Sequence, residues 1–80
     1  MTEEEARNRR AVGLVEAAYP EGRSPRWPKP RFEVWFEAVC DIDPAAVERG
    51  ARRLIREWAD QHGRPPQPGH LRSYAKAARR

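Results

Sequence analysis

The positions of eight prolines decide where regular structure can run in this chain of 80 residues. Proline lacks a backbone N–H and clashes with the preceding turn, so a helix can begin at one but does not continue through it. Pro20, Pro44 and the Pro65-Pro66 pair therefore separate the apolar periodicities of the chain, and each of the four stretches they leave reads as helix.

Thr2 followed by Glu5 has the spacing of a capping box, which starts a first helix running to about Ala18. Its apolar arc is Ala11, Val12, Val15, Ala18 and Tyr19. Pro20 stops it, and Tyr19 is pushed out of the helical region by the proline that follows. Residues 20–30 hold Pro20, Pro25, Pro28 and Pro30 with Gly22 and Ser24 among them, a stiffened loop for which Trp27 is the expected anchor in the core. A proline-rich run can also be a ligand for an aromatic-lined module. The linker reading is preferred, because this loop is confined between two helices.

A second helix is expected to start near Pro30. Phe32, Trp35, Phe36 and Val39 stand at i, i+3, i+4 and i+7 and form one stripe. Asp41 and Asp43 are read as caps of the adjoining helix ends. Asp43 followed by Pro44 is an N-cap with proline at the first helical position. The third helix then carries Val47, Ala51, Leu54, Ile55 and Trp58 on one arc. Gly63 suits a left-handed C-terminal cap, and the two prolines behind it enforce the stop. A last helix from Pro68 or Gly69 to the chain end presents Leu71, Tyr74, Ala75 and Ala78, with a far end expected to fray.

No stretch alternates with period two. The fold expected is all-α: one domain over residues 1–80, a compact bundle of about four helices with a Pro-rich loop between the first two. Its predicted core is Val15 and Tyr19, the four-residue stripe of the second helix, the five arc residues of the third, and Leu71 with Tyr74.

Little points to chemistry. A chain this short encloses no substrate-sized cavity. His62 and His70 share no helix face and have no ligand partners at metal spacing, so both are read as polar residues at helix ends. Ser24 and Ser73 lack a His and Asp pattern, and no glycine-rich phosphate loop occurs. No enzyme activity, metal or cofactor is expected. Cys40, the single cysteine, is expected to be a small buried apolar group. No run of 18 apolar residues occurs and the N-terminus is acidic, so neither a membrane span nor a secretory signal is expected, and the reducing cytoplasm is the expected location.

The net charge of +4 is unevenly spread. Residues 1–48 carry 7 basic and 10 acidic groups, and residues 49–80 carry 9 basic and 2 acidic. On the third helix Arg49, Arg52, Arg53 and Arg56 face away from the apolar arc. The i,i+4 pairs Glu48–Arg52, Arg53–Glu57 and Arg56–Asp60 partly neutralise them, giving a solvated face. In the basic C-terminal helix, residues 68–80, Arg72, Lys76 and Arg79 stand at i, i+4 and i+7 with no acid near them in sequence, and Arg80 extends the cluster. These four are the expected partner-binding residues, for a protein or a nucleic acid.

From about residue 12 to residue 72, the chain resembles the N-terminal domain of the phage helicase loader-inhibitor family. The likeness lies in Tyr19-Pro20 after a first helix, the segment Phe32-Glu33-Val34-Trp35-Phe36 and the acidic turn Asp41-Ile42-Asp43. It continues in the long helix opening with Val47, then Pro65-Pro66 before Leu71-Arg72. The resemblance implies a phage or prophage replication accessory, an adaptor that binds a replicative helicase or its loading complex. Family members carry a further flexible C-terminal portion implicated in gripping the helicase, and this sequence ends at Arg80. The rival expectation is a small basic DNA-binding protein using the C-terminal helix, DNA binding from so few contacts being weak. A host-modulating interaction module is a third.

Overall fold

Four helices follow one another: α1 (Glu3–Ala18), α2 (Lys29–Val39), α3 (Pro44–Gln61) and α4 (Pro68–Ala77). The computed structural model describes residues 2–20, 23–24, 26–61 and 64–79, the side chains of residues 59–61 apart. Among the described residues there is no β-strand. The architecture is the expected all-α bundle.

Local chemistry sets the helix ends. The Glu5 N–H donates to the Thr2 hydroxyl at 3.1 Å, and Glu3, Glu4 and Glu5 place negative charge where the first turn presents its unpaired N–H groups. Beyond Ala18, Tyr19 leaves the helical region with φ −130° and ψ 69°. At α3 the Ala46 N–H donates to the Asp43 carboxylate at 3.3 Å, the expected N-cap. At α4 a reciprocal box forms that the sequence did not announce: the Gln67 side chain accepts from the His70 backbone N–H, and the Gln67 N–H donates to His70 Nδ1 at 2.9 Å. His70 thus stands at a helix end as expected. His62 and the Gly63 cap lie outside the described residues.

The helices pack as a ring in which α1 touches α2 and α3, and α4 touches the same two. The fully buried centre draws on every helix: Val12 and Val15 from α1, Val39 from α2, Val47 and Leu54 from α3, and Leu71 from α4. Trp35, Ala51 and Trp58 are buried with them, while Tyr19, Phe32, Phe36, Ile55 and Tyr74 are half-buried against that centre. Every predicted core residue therefore faces the core. Ile42 and Ala46 join them unannounced, from the α2–α3 turn and the first turn of α3.

Tryptophan secures both irregular connections. Trp27 is buried, its N–H donates to the Glu16 carboxylate at 2.8 Å, and its indole N–H donates to the Tyr19 carbonyl at 2.6 Å. Its ring lies 5.0 Å from that of Trp35, and the Arg31 guanidinium covers it at 4.4 Å. The loop is anchored as expected. The Trp58 indole N–H donates to the Arg64 carbonyl at 2.6 Å, and its ring lies 4.4 Å from that of His70.

Two burial assignments change, and the first is Ala18 of the α1 arc, which is exposed. Cys40 is exposed, its thiol bonded to the Glu37 carbonyl at 3.4 Å, and is not a core residue. The chain turns at this C-cap, and Ile42 enters the core in its place.

Candidate functional site

The last carbonyls of α2 and of the turn after it have few backbone donors: the Ile42 N–H meets the Val39 carbonyl at 3.0 Å, and neighbouring helices supply further donors. Asn8 of α1 donates from Nδ2 to the Val39 and Ile42 carbonyls at 3.4 and 3.3 Å. Arg72 of α4 donates to the Ala38 carbonyl at 2.8 Å. The same guanidinium forms a two-pronged pair with Asp41, at 2.8 and 3.1 Å. That hydrogen-bonded pairing holds the Asp41 carboxyl below its ordinary value. Asp41 is thus an ion-pair partner and not a helix cap.

This geometry corrects the basic ridge predicted on the last helix. Arg72 has an acid beside it, brought by the fold from 31 positions earlier in the chain, and it ties α4 to the end of α2. The helix itself ends at Ala77 and not at the chain terminus. Its last carbonyls are met by the Ala78 and Arg79 N–H groups, while Arg49 of α3 donates to the Ala78 carbonyl at 2.9 Å. Arg79 therefore lies beyond the helix, and the i, i+4, i+7 row is broken at both ends. Lys76 and Arg79 are exposed. Arg80 lies outside the described residues.

The arginines of α3 form the broader basic surface. Arg49, Arg52, Arg53 and Arg56 are all exposed, as expected of the face opposite the core arc. Arg52 pairs with Glu48 at 3.1 Å and Arg53 with Glu57 at 2.6 Å. The expected Arg56–Asp60 pair involves a side chain outside the described residues. Arg9 of α1 points the other way: it forms a two-pronged pair with Glu33 of α2, at 2.8 and 3.2 Å, and covers the Phe36 ring at 4.2 Å. Hydrogen bonding to Arg9 lowers the Glu33 carboxyl.

Open grooves separate the helices. Along the α1–α3 seam, one depression of about 210 Å³ is lined by Arg7, Arg10, Leu14 and Arg52 among others, and a second of about 400 Å³ by Leu14, Ala17, Ala18, Arg52 and Ile55. On the opposite side, Arg31, Val34, Trp35 and Pro65 through Pro68 line a hollow of about 420 Å³. Val34 stands 55% exposed at its edge.

No protein-family model, curated protein or solved structure matches the chain. Among the described residues, no three His, Cys, Asp or Glu side chains come together as metal ligands would. No helix among them is long and apolar enough to cross a membrane. What the surface does present is guanidinium groups beside shallow apolar grooves, an arrangement suited to holding an anionic macromolecule. Sequence reasoning singled out the α4 end of this surface and missed its α1 side, because Arg7 and Arg10 sit in a half of the chain whose net charge is negative.

Proposed function

We propose that this chain is a non-catalytic adaptor of phage or prophage DNA replication, one that engages a replicative helicase or its loading complex in the cytoplasm. The carrying observation is that the residues behind the family resemblance are the joints of one frame. Tyr19 receives the Trp27 indole, Trp35 lies in the core, Asp41 pairs with Arg72, and Asp43 caps α3. Their order and spacing belong to a self-supporting scaffold, which leaves the grooves and arginine surfaces to a partner.

The test is to mix the full chain with a hexameric bacterial replicative helicase and measure mass by light scattering during gel filtration. A stable complex at micromolar concentration, with altered unwinding, is the expected result. Absence of a complex under those conditions overturns the assignment.

The exposed arginine face of α3 favours one other reading, a small DNA-binding protein. Tight duplex binding at about 150 mM salt would select it.

A further inference from the structure

We infer that the α1–α3 seam is a docking groove for an acidic amphipathic helix of the partner, an inference that rests on the adaptor reading. The two depressions along this seam share Leu14 and Arg52 and so form one trough. It runs beside α1 from Arg7 to Ala18, roughly 17 Å at the helical rise, which is the length of three turns of a docked helix.

The floor is apolar and low. Ala17 and Ala18 are exposed, Leu14 and Ile55 half-buried, and none of these four brings a polar side chain to the surface. Small side chains at the end of α1 let another backbone approach, while Leu14 and Ile55 supply the apolar contact. The rim is cationic. Arg7 and Arg10 rise from α1 and Arg52 from α3, all exposed. Among the described residues, neither Arg7 nor Arg10 is held in an ion pair. Among the described lining residues Glu48 is the single carboxylate, and Arg52 engages it at 3.1 Å.

An apolar strip bordered by guanidinium groups, of which Arg7 and Arg10 are in no ion pair among the described residues, is complementary to a helix with one leucine-type stripe flanked by Glu or Asp. Burial of the stripe would supply affinity, and the arginines would set orientation and exclude basic helices. A bare phosphate backbone would match the rim and leave the apolar floor unused, so an acidic helix fits more of the observed surface.

The probe is an alanine-based peptide of about four helical turns with leucines at i, i+3, i+4 and i+7 and glutamates on both flanks. Its twin carries lysine at the glutamate positions. Titrated into the isotopically labelled full chain, the glutamate peptide should shift the amide resonances of Leu14, Ala17, Ala18 and Ile55, and the lysine twin should not. Arg7→Glu with Arg10→Glu should weaken the glutamate peptide at least about tenfold and create affinity for the lysine twin. Arg7→Gln with Arg10→Gln, which adds no negative charge, should give an intermediate loss and guards against a folding defect in the reversal. Equal binding of both peptides, no binding of either, or shifts that map away from this seam overturns the inference. So does a short DNA duplex that displaces the peptide from the same residues. A helicase complex untouched by the charge reversal sinks the groove and leaves the adaptor standing. Peptide binding without any helicase complex does the opposite.

Discussion

A Cβ atom on Gly50 would lie 2.6 Å from the backbone nitrogen of Ala75 and 2.7 Å from its Cα. Helices α3 and α4 therefore meet backbone to backbone at this point, closer than any side chain on residue 50 allows. The obstacle would be main chain and not a flexible side-chain end, so relief requires the two helices to move apart.

Gly50→Ala should destabilise the fold even though alanine is the better helix former by about 1 kcal/mol. Overpacking at a rigid contact costs about 1–3 kcal/mol and has to exceed that gain for the net loss expected here. The melting temperature should fall by several degrees, about 4–8 °C per kcal/mol lost in a domain of this size. Gly13 of α1 is the control, since nothing lies within 4 Å of the Cβ it would gain. Gly13→Ala should raise stability by about 0.5–1 kcal/mol. Thermal melts of the two variants moving in the same direction would refute the close α3–α4 contact.

Asn8 gives the second prediction. Its amide nitrogen faces the Val39 carbonyl at the end of α2 and the Ile42 carbonyl in the turn after it, and its buried Oδ1 has no hydrogen-bond partner among the described residues. Asn8→Ala should cost about 1–3 kcal/mol, because the Ile42 carbonyl loses a donor that water does not readily replace, while the Val39 carbonyl keeps the Ile42 N–H. Asn8→Asp has nearly the same shape and should cost more, about 3–5 kcal/mol at neutral pH, since it buries an unpaired charge against two oxygens. Burial of that carboxylate would raise its folded pKa above the unfolded value. The excess penalty is therefore full at neutral pH and shrinks as the pH falls through the raised value. Denaturant unfolding of both variants at two pH values tests this, and Asp proving milder than Ala at neutral pH would contradict it.

Asn8 and Gly50 also mark where the sequence stopped being legible. Helix number, order and the caps at Thr2 and Asp43 follow from proline positions, cap spacing and the periodicity of residues such as Trp35, Leu54 and Leu71, all local signals. Asn8, by contrast, sits amid charged residues, and nothing nearby tells that its amide will meet carbonyls 31 and 34 positions away. Gly50 lies within a helical pattern like Gly13, and only the arrival of Ala75 distinguishes the two. The same limit applies to the candidate surface. Arg72 reads as a free cation until Asp41 is placed beside it, and nothing in the sequence singles out Arg7 and Arg10 until α1 packs beside α3.

A third prediction concerns acid. Glu33 and Asp41 both have carboxyl groups lowered by hydrogen bonds from Arg9 and Arg72. A carboxyl with a lower pKa in the folded than in the unfolded state stabilises the fold above the unfolded value, near pH 4. That stability is lost as the pH falls through the lower folded value. Melting temperature should thus hold between about pH 7 and 5 and decline below about pH 4. Both pairs are partly solvent-exposed, so added salt should soften the decline. Arg9→Gln and Arg72→Gln should each flatten the acid limb. An unchanged limb in both variants would show that the pairs contribute nothing to folding.

The last prediction separates structural from recognition charges at the α4 end. Arg72 joins α4 to Asp41 and to the Ala38 carbonyl, whereas Lys76 and Arg79 are exposed. Arg72→Glu would set two carboxylates against each other and leave the carbonyl without its donor, so it should lower stability. Lys76→Glu with Arg79→Glu should leave the melt within about 1 °C of the parent, as surface changes away from packed contacts do. If these two cations steer a protein partner, their reversal slows association and leaves dissociation nearly unchanged, which surface-plasmon kinetics with the helicase would read directly. If they contact DNA phosphates instead, the log–log salt slope of duplex binding should lose about 0.9 for each contact removed. Two contacts alone give weak binding, so DNA affinity at about 150 mM salt should be marginal in the parent chain. Tight duplex binding there, abolished by the Lys76 and Arg79 reversal while the melt stays unchanged, would replace the helicase adaptor with a DNA-binding protein.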